Sequence, residues 1–425
     1  MNFEGKIIEF RKKISNLWKY PFFKIAILVQ IGYIIVSVIL FLTIFYDQND
    51  FIVFYNAGNR FLFDIDNLYL KENNIFFFRY FPLSAIFYIP FSLLDFNTGF
   101  LSFMVFNLLI NIGICSLMYK IINLIRNNEK IPDEKIARYF ALVLGASPQV
   151  NNYILGQNNL IVIFLLLWAI YLFLKKSNLK WDFYASILIG ISIAIKPITL
   201  MALPFLIVLN YSRNERKFIL NIKKSIVRLL GISIFLLPNI IFFVVNPKLW
   251  EGFLDNNFAG ANIIELRHSF SITKLLINMF VFFNLPINQT LILLILLCFF
   301  GSIGLILLLL SNHGKKTLIY GLTLGIIIML LVYFDSWDHH LLIILPLLII
   351  IIFDLSEDSE IKNKFIKPGV IYYVFLDLVF MGIWYLIKPW FPYNFLATVF
   401  LILNFYGISK YLLENQYQKE ILLEK

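Results

Sequence analysis

Cysteine is nearly absent from this chain: Cys115 and Cys298 are the only two among 425 residues, and both fall inside apolar runs. That excludes a disulfide-stapled scaffold and leaves two packing thiols. Histidine is scarce as well, at four residues, and no Cys/His grouping has metal-ligand spacing. The adjacent His339 and His340 would diverge by about 100° on a helix, which disfavours a shared metal. A Gly-rich phosphate loop is missing, which argues against a nucleotide donor bound in the usual cradle. Charge is sparse too, at 15% of residues against 60% hydrophobic, with a mean hydropathy of +0.80. A soluble domain of this length needs more polar surface. Linkers, low-complexity tracts and internal repeats are also lacking, so no separate soluble domain is expected.

What the chain has instead is long uncharged runs, at residues 25–46, 160–174, 291–310 and 341–353. The longest reach the ~20 residues that a helix needs to cross ~30 Å of hydrocarbon. They lack the dyad alternation of a membrane barrel, so helices are expected. The first run is too long for a cleavable signal and no small-residue cleavage site follows it, so it is expected to stay as a span.

Lysine and arginine set the orientation. Lys6, Arg11, Lys12, Lys13 and Lys19 place the N-terminal tail in the cytoplasm. Lys120 to Lys135, Lys175 to Lys180, Arg213 to Arg228 and Lys315-Lys316 mark later cytoplasmic returns. The net charge of +10 is thereby explained by topology and membrane lipids, with no nucleic acid partner expected. The fold class read this way is all-α: a polytopic transmembrane helical bundle of about 12 spans with both termini cytoplasmic. Residues 1–22 form a tail, 23–412 the transmembrane domain and 413–425 a second tail, with outer loops at 47–79, 246–271 and 334–340. The segment 198–210 is read as a returning span. The segment 272–285 is read as re-entrant or interfacial on the outer side, because a full span there would invert everything after it.

Ionisable groups at a membrane edge are costly, so their placement is informative. On this topology Asp50, Arg79, Gln157, Lys196, Arg267, His268, Asp338, His339 and His340 converge on the outer face. Taken singly, each has a plain reading. Asp50 is either a solvated loop acid or a carboxylate made basic by burial. Lys196, just before Pro197, either snorkels or binds phosphate. Gln157 reads as part of a polar turn.

Five segments taken in order resemble glycosyltransferase family 87. They are Asp50-Phe51 through Ala57-Gly58; Asn67-Leu68-Tyr69 with Tyr80-Phe81-Pro82 and Pro90; Gly156-Gln157-Asn158; Gly190 to Lys196-Pro197; and Ser336-Trp337-Asp338-His339-His340. Arg267-His268-Ser269 fits the family pattern less well. The resemblance implies a GT-C type fold and transfer of a hexose, often mannose, from a polyprenyl-phosphate donor to a lipid or glycan hydroxyl on the non-cytoplasmic face. Asp50 and His339 are the expected catalytic residues, with the choice between His339 and His340 left open. Lys196, Gln157, Asn158, Arg79, Tyr80, Tyr55, Arg267, His268, Trp337 and His340 are the expected substrate-binding set. No metal and no cofactor are expected, because cationic side chains can balance the phosphate. The competing readings are a transporter or lipid flippase, with its charges near the midplane in related halves, and a noncatalytic assembly protein with a broken polar set.

Overall fold

The structure, a computed structural model, describes residues 15–46, 49–70, 76–127, 129, 131–176, 178–212, 217–259, 271–311, 315–375 and 396–423. In chain order the helices are α1 (Pro21–Thr43), α2 (Asp50–Phe63), α3 (Phe96–Ile125), α4 (Asp133–Leu144), α5 (Pro148–Ile154), α6 (Asn159–Lys175) and α7 (Leu179–Ile195). After a short hairpin of β1 (Leu209–Ser212) and β2 (Lys217–Leu220) come α8 (Ile222–Val245), α9 (Pro247–Leu254), α10 (Ile272–Phe282), α11 (Gln289–Leu310), α12 (Lys315–Val332), α13 (Leu341–Asp354) and α14 (Leu396–Leu423).

Asparagine, whose abundance carries no chemistry by composition, turns out to start many of these helices. Asn49, Asn178, Asn221 and Asn288 each accept a backbone N–H three residues on, at 2.9 to 3.1 Å. Each N-cap of this kind satisfies a donor that the helix leaves unpaired. Asp95 does the same for α3 through the Thr98 N–H.

Four described helices, α1, α3, α8 and α11, are each long and apolar enough to cross a membrane. The pair α5–α6 passes the same test only as a unit bent by 117° at the break between them. Rows of large apolar side chains face outward, among them Ile25, Leu28 and Ile39 on α1, Ile240 and Ile241 on α8, and Leu291, Ile295 and Phe299 on α11. Water would not tolerate so much exposed apolar surface, whereas lipid does. The protein is thus an α-helical membrane protein. Its buried centre is α13, whose run from Leu341 to Phe353 is buried throughout and packs on α3 and α6.

Two segments differ from the sequence reading. The expected returning helix at 198–210 is a ten-residue 3-10 stretch, Pro197–Leu206, that runs into the hairpin. Pro204 removes a backbone donor inside that stretch, which interrupts a regular α ladder, whereas Pro197 at its first position removes none that an α-helix would use. This hairpin is the departure from an all-helical chain among the described residues. The outer segment 47–79, read as a loop, contains α2. Helix α10 has 11 residues; at 1.5 Å per residue it is about 16 Å long, half of the ~30 Å core.

Polar side chains tie the bundle together. Gln30 of α1, Asn111 of α3 and Gln149 and Tyr153 of α5 form one buried network, with Tyr153 Oη donating to Gln30 Oε1 at 3.0 Å and Asn111 Nδ2 donating to Tyr153 Oη at 2.8 Å. Helices α7 and α8 cross at glycines: a Cβ on Gly190 would lie 2.7 Å from the Ile232 carbonyl oxygen, and one on Gly231 would lie 2.6 Å from that of Phe183. Small residues allow such close crossings. The same pair is locked at one end by Asp182 of α7, which accepts from Arg228 of α8 at 2.9 and 2.8 Å. Arg228 also donates to the Leu206 carbonyl at 3.1 Å and covers the Phe173 ring. Removing Asp182 would leave a buried, uncompensated guanidinium. Asp182→Ala is therefore expected to lower stability by about 3–5 kcal/mol, read as a fall in melting temperature. Asp182→Leu combined with Arg228→Met should regain most of the loss, and equal melting of the single and double variants would refute the pairing.

Candidate active site

The site grows from the break between α5 and α6. Gly156 there has φ +63°, a left-handed conformation that glycine adopts without strain. A Cβ on Gly156 would lie 2.6 Å from the Phe51 Cβ, so the break and the start of α2 are in direct contact. The N–H groups of Asp50 and Phe51 both donate to the Leu155 carbonyl, each at 3.0 Å. On the other side, Asn49 Nδ2 donates to the carbonyls of Phe45 and Tyr46 at 2.7 and 2.8 Å. Asp50 is thus pinned between the end of the first span and the α5–α6 break.

A chain of amides runs from its carboxylate. Gln157 Nε2 donates to Asp50 Oδ2, and Lys196 Nζ donates to Gln157 Oε1 at 3.1 Å and to Asn159 Oδ1 at 2.8 Å. Asn159 Nδ2 in turn donates to Asn152 Oδ1 at 3.0 Å. A carboxylate only accepts and an ammonium only donates, so the two charged ends dictate which way the Gln157 amide faces. Lys196 spends two of its three N–H bonds on neutral oxygens, leaving one for a ligand among the described residues. Asn158 Nδ2 donates to Tyr88 Oη at 2.7 Å and to the Ile195 carbonyl at 3.4 Å, joining the break to the turn that carries Lys196.

Two further walls close on Asp50. Tyr80 and Tyr88 stand as its electrostatic neighbours, with Phe54 stacked on Tyr88 at 4.5 Å and tilted against Tyr80 at 5.4 Å. Arg79 is already engaged, with a salt bridge to Asp335 and a hydrogen bond to Tyr333. The last wall is the 3-10 turn Asp338–His340. Asn151 Nδ2 donates to Asp338, and the His339 N–H donates to Asp338 Oδ1 at 2.9 Å. The Trp337 N–H donates to His340 Nδ1 at 3.1 Å, so that nitrogen is an acceptor and the ring carries its proton on Nε2. Burial holds the Asp50 carboxyl above its ordinary range, with its interactions with His339, Lys196, Gln157 and Arg79 opposing the rise. The residue as a whole is part-exposed.

Of the residues singled out in the sequence, the structure gathers Asp50, Gln157, Asn158, Lys196, Arg79, Tyr80, His339 and His340. Tyr55 is turned elsewhere: its hydroxyl donates to the Leu94 carbonyl at 2.7 Å and its ring meets Phe96 edge-on. Trp337 serves the turn through its backbone, and the His340 N–H returns to its carbonyl at 3.0 Å. Arg267 and His268 lie outside the described residues. Six partners escaped the sequence reading: Tyr88, Asn151, Asn152, Asn159, Tyr333 and Asp335. The paired asparagines 151–152 and 158–159, set in an apolar chain, were the available signal. Among the described residues no group of three His, Cys, Asp or Glu side chains is placed to hold a metal ion.

The profile of glycosyltransferase family 87 matches residues 77–333, more than half of the chain. The chain belongs to glycosyltransferase family 87. It is therefore a membrane glycosyltransferase. The family 87 match contains Arg79, Tyr80, Gln157, Asn158 and Lys196, whereas Asp50, Trp337, His339 and His340 flank it. No curated protein matches the chain.

Because Gly156 combines a positive φ with contact to Phe51, Gly156→Ala should cost about 1–3 kcal/mol of stability and loosen the hold on Asp50. The measurement is melting temperature alongside sugar transfer. An unchanged value of both would show that the break is not the anchor.

Proposed function

We propose that this glycosyltransferase moves a hexose, mannose foremost, from a polyprenyl-phosphate donor to a hydroxyl of a lipid or glycan on the non-cytoplasmic face, inverting the anomeric centre. The observation that carries the reading is the Asp50 carboxylate, bridged through Gln157 to Lys196. Asp50 is the base: it takes the acceptor proton as the oxygen attacks the anomeric carbon. Positive charge gathers on the sugar ring in the transition state, as in glycoside hydrolysis, and the same carboxylate lies ready to offset it. Negative charge grows on the departing phosphate. The third N–H of Lys196, without a partner among the described residues, would meet it, with His339 in its protonated form as the second cation. Attack opposite the phosphate gives inversion. Arg79, already paired with Asp335, holds the wall and leaves the phosphate to Lys196. These side chains supply the charge balance, so no metal or cofactor enters the scheme.

The membrane setting suits such a donor, whose tail partitions into lipid and whose head group presents at the bilayer edge. The outward apolar faces of α1, α8 and α11 offer the surface along which it would approach. In this reading the chain makes about twelve crossings with both termini cytoplasmic, the shorter apolar helices pairing to complete them.

Asp50→Asn should abolish transfer while membrane insertion stays intact. Incubating the purified protein with labelled polyprenyl-phosphate mannose, glucose and arabinose, and following polyprenyl phosphate release and product mass, tests class and sugar together. Full activity in Asp50→Asn would remove Asp50 as the base. A base works above its pKa, so activity should fall as pH drops through the raised value. The acid limb of kcat/KM should therefore lie above the ~3.9 of an ordinary aspartate. Lys196→Met deletes a charge that opposes this rise, so the limb should move further up and donor affinity should weaken. A limb at the ordinary value, or one that moves down, would count against the arrangement.

A further inference from the structure

The sequence leaves the choice between His339 and His340 open, and the partners of their ring nitrogens close it. In a neutral imidazole one nitrogen donates and the other accepts, and the surroundings decide which is which. The two rings are neighbours, with centroids 4.5 Å apart and planes at 74°, and both are buried. Their surroundings differ in kind.

His340 meets a donor. Its Nδ1 accepts the Trp337 N–H at 3.1 Å, so the ring proton sits on Nε2. Burial first, then the positive charges of Lys196 and His339, hold this imidazole well below its ordinary range. His340 is thus a neutral group with one N–H to offer.

His339 meets an acceptor. Its Nδ1 is closed off from solvent and has no hydrogen-bond partner among the described residues, and Asp338 Oδ1 lies 3.4 Å from it. That is longer than a formed N–H···O bond, yet close enough for charge to decide. A lone pair on Nδ1 would face a carboxylate oxygen and be repelled, whereas an N–H would be drawn to it. A ligand does not reach this closed nitrogen, so the protein alone makes the choice. Asp338 is itself fixed. Asn151 Nδ2 of α5 donates to Oδ2, and the His339 N–H donates to Oδ1 at 2.9 Å. Both oxygens accept, as a carboxylate's do. With a proton on Nδ1, Nε2 is the nitrogen of His339 that can gain or lose one.

We propose that Asp338 is a positioning residue that keeps the His339 proton on Nδ1 and leaves Nε2 as the reactive nitrogen. The two histidines then divide the work. His339 becomes a cation by adding a proton at Nε2, with Asp338 matching the charge behind it. His340 stays neutral and only donates. The tautomers rest on geometry alone, whereas their part in transfer rests on the reading of His339 as the second cation.

The test is solid-state nitrogen-15 NMR of the full chain in lipid bilayers, labelled at histidine and recorded at a pH where the rings are neutral. The chain has four histidines, and His339→Gln and His340→Gln assign the two signals. Wild type should show Nδ1–H at His339 and Nε2–H at His340. Asp338→Ala removes the acceptor, so His339 should lose its preference for Nδ1–H while His340 keeps its form. Its kcat should fall about ten-fold or more, the scale seen when a group that orients a functional histidine is removed. Donor KM should hold, because charge on the phosphate grows only as the bond breaks. Asp338→Asn keeps an oxygen toward the His339 N–H and Nδ1, so it should keep the tautomer and lose less activity. An Nε2–H form of His339 in wild type overturns the proposal, and that spectrum decides even where Asp338→Ala fails to fold. Nδ1–H retained in Asp338→Ala overturns it too, since any loss of activity would then come from the turn. So does full kcat in that variant. The expected tautomers together with full transfer by Asp50→Asn would keep the positioning of His339 and remove the base. An inert Asp50→Asn with an Nε2–H form of His339 would do the reverse.

Discussion

An amide stands between a carboxylate and an ammonium, and the site depends on it. Gln157 reaches Asp50 with its nitrogen and Lys196 with its oxygen. Direct contact would let the two charges satisfy each other and leave neither for a substrate. Separation by a neutral dipole keeps both in place and partly uncommitted. This arrangement requires three chain segments to meet: the start of α2, the α5–α6 break and the turn after α7. Each meeting has its own fixture, from the Leu155 carbonyl that receives two N–H groups to Asn158, which ties the break to the Ile195 carbonyl.

Some of this was legible in the sequence and some was not. The membrane class was readable from scarce charge and long apolar runs. Lys196 stood out as a charge set in an apolar stretch, and Asp50, Gln157 and His339 through the family resemblance of the short polar motifs that hold them. Tyr88, Asp335 and the asparagines at 151, 152 and 159 did not, for a physical reason. A side chain that completes a hydrogen bond across the fold is defined by its partner, and the partner lies elsewhere in the chain. Arg79 shows the same limit in reverse: in the sequence it is one more outer cation, whereas in the fold its charge is matched by Asp335. Helix boundaries followed local chemistry where a cap was present. They failed at residues 198–210, where Pro204 interrupts an apolar run that continues as a 3-10 stretch.

The two ends of the α7–α8 pair are handled differently. At one end Asp182 and Arg228 meet directly and are buried together. Near the other, Lys196 is met by amide oxygens. The first is a closed ion pair that fastens helices. The second leaves binding capacity open. Both hold a buried cation, and what separates them is whether a carboxylate or an amide meets it.

The bend between α5 and α6 bears on how the protein is made. A seven-residue helix carrying a glutamine and two asparagines has no reason to leave water by itself. Its partners are Gln30 and Asn111, which lie on α1 and α3. Those helices emerge from the ribosome earlier, so the hydrogen-bonding groups that receive α5 are already in the membrane when it arrives. The order of synthesis is also the order in which each segment finds its solvent replaced.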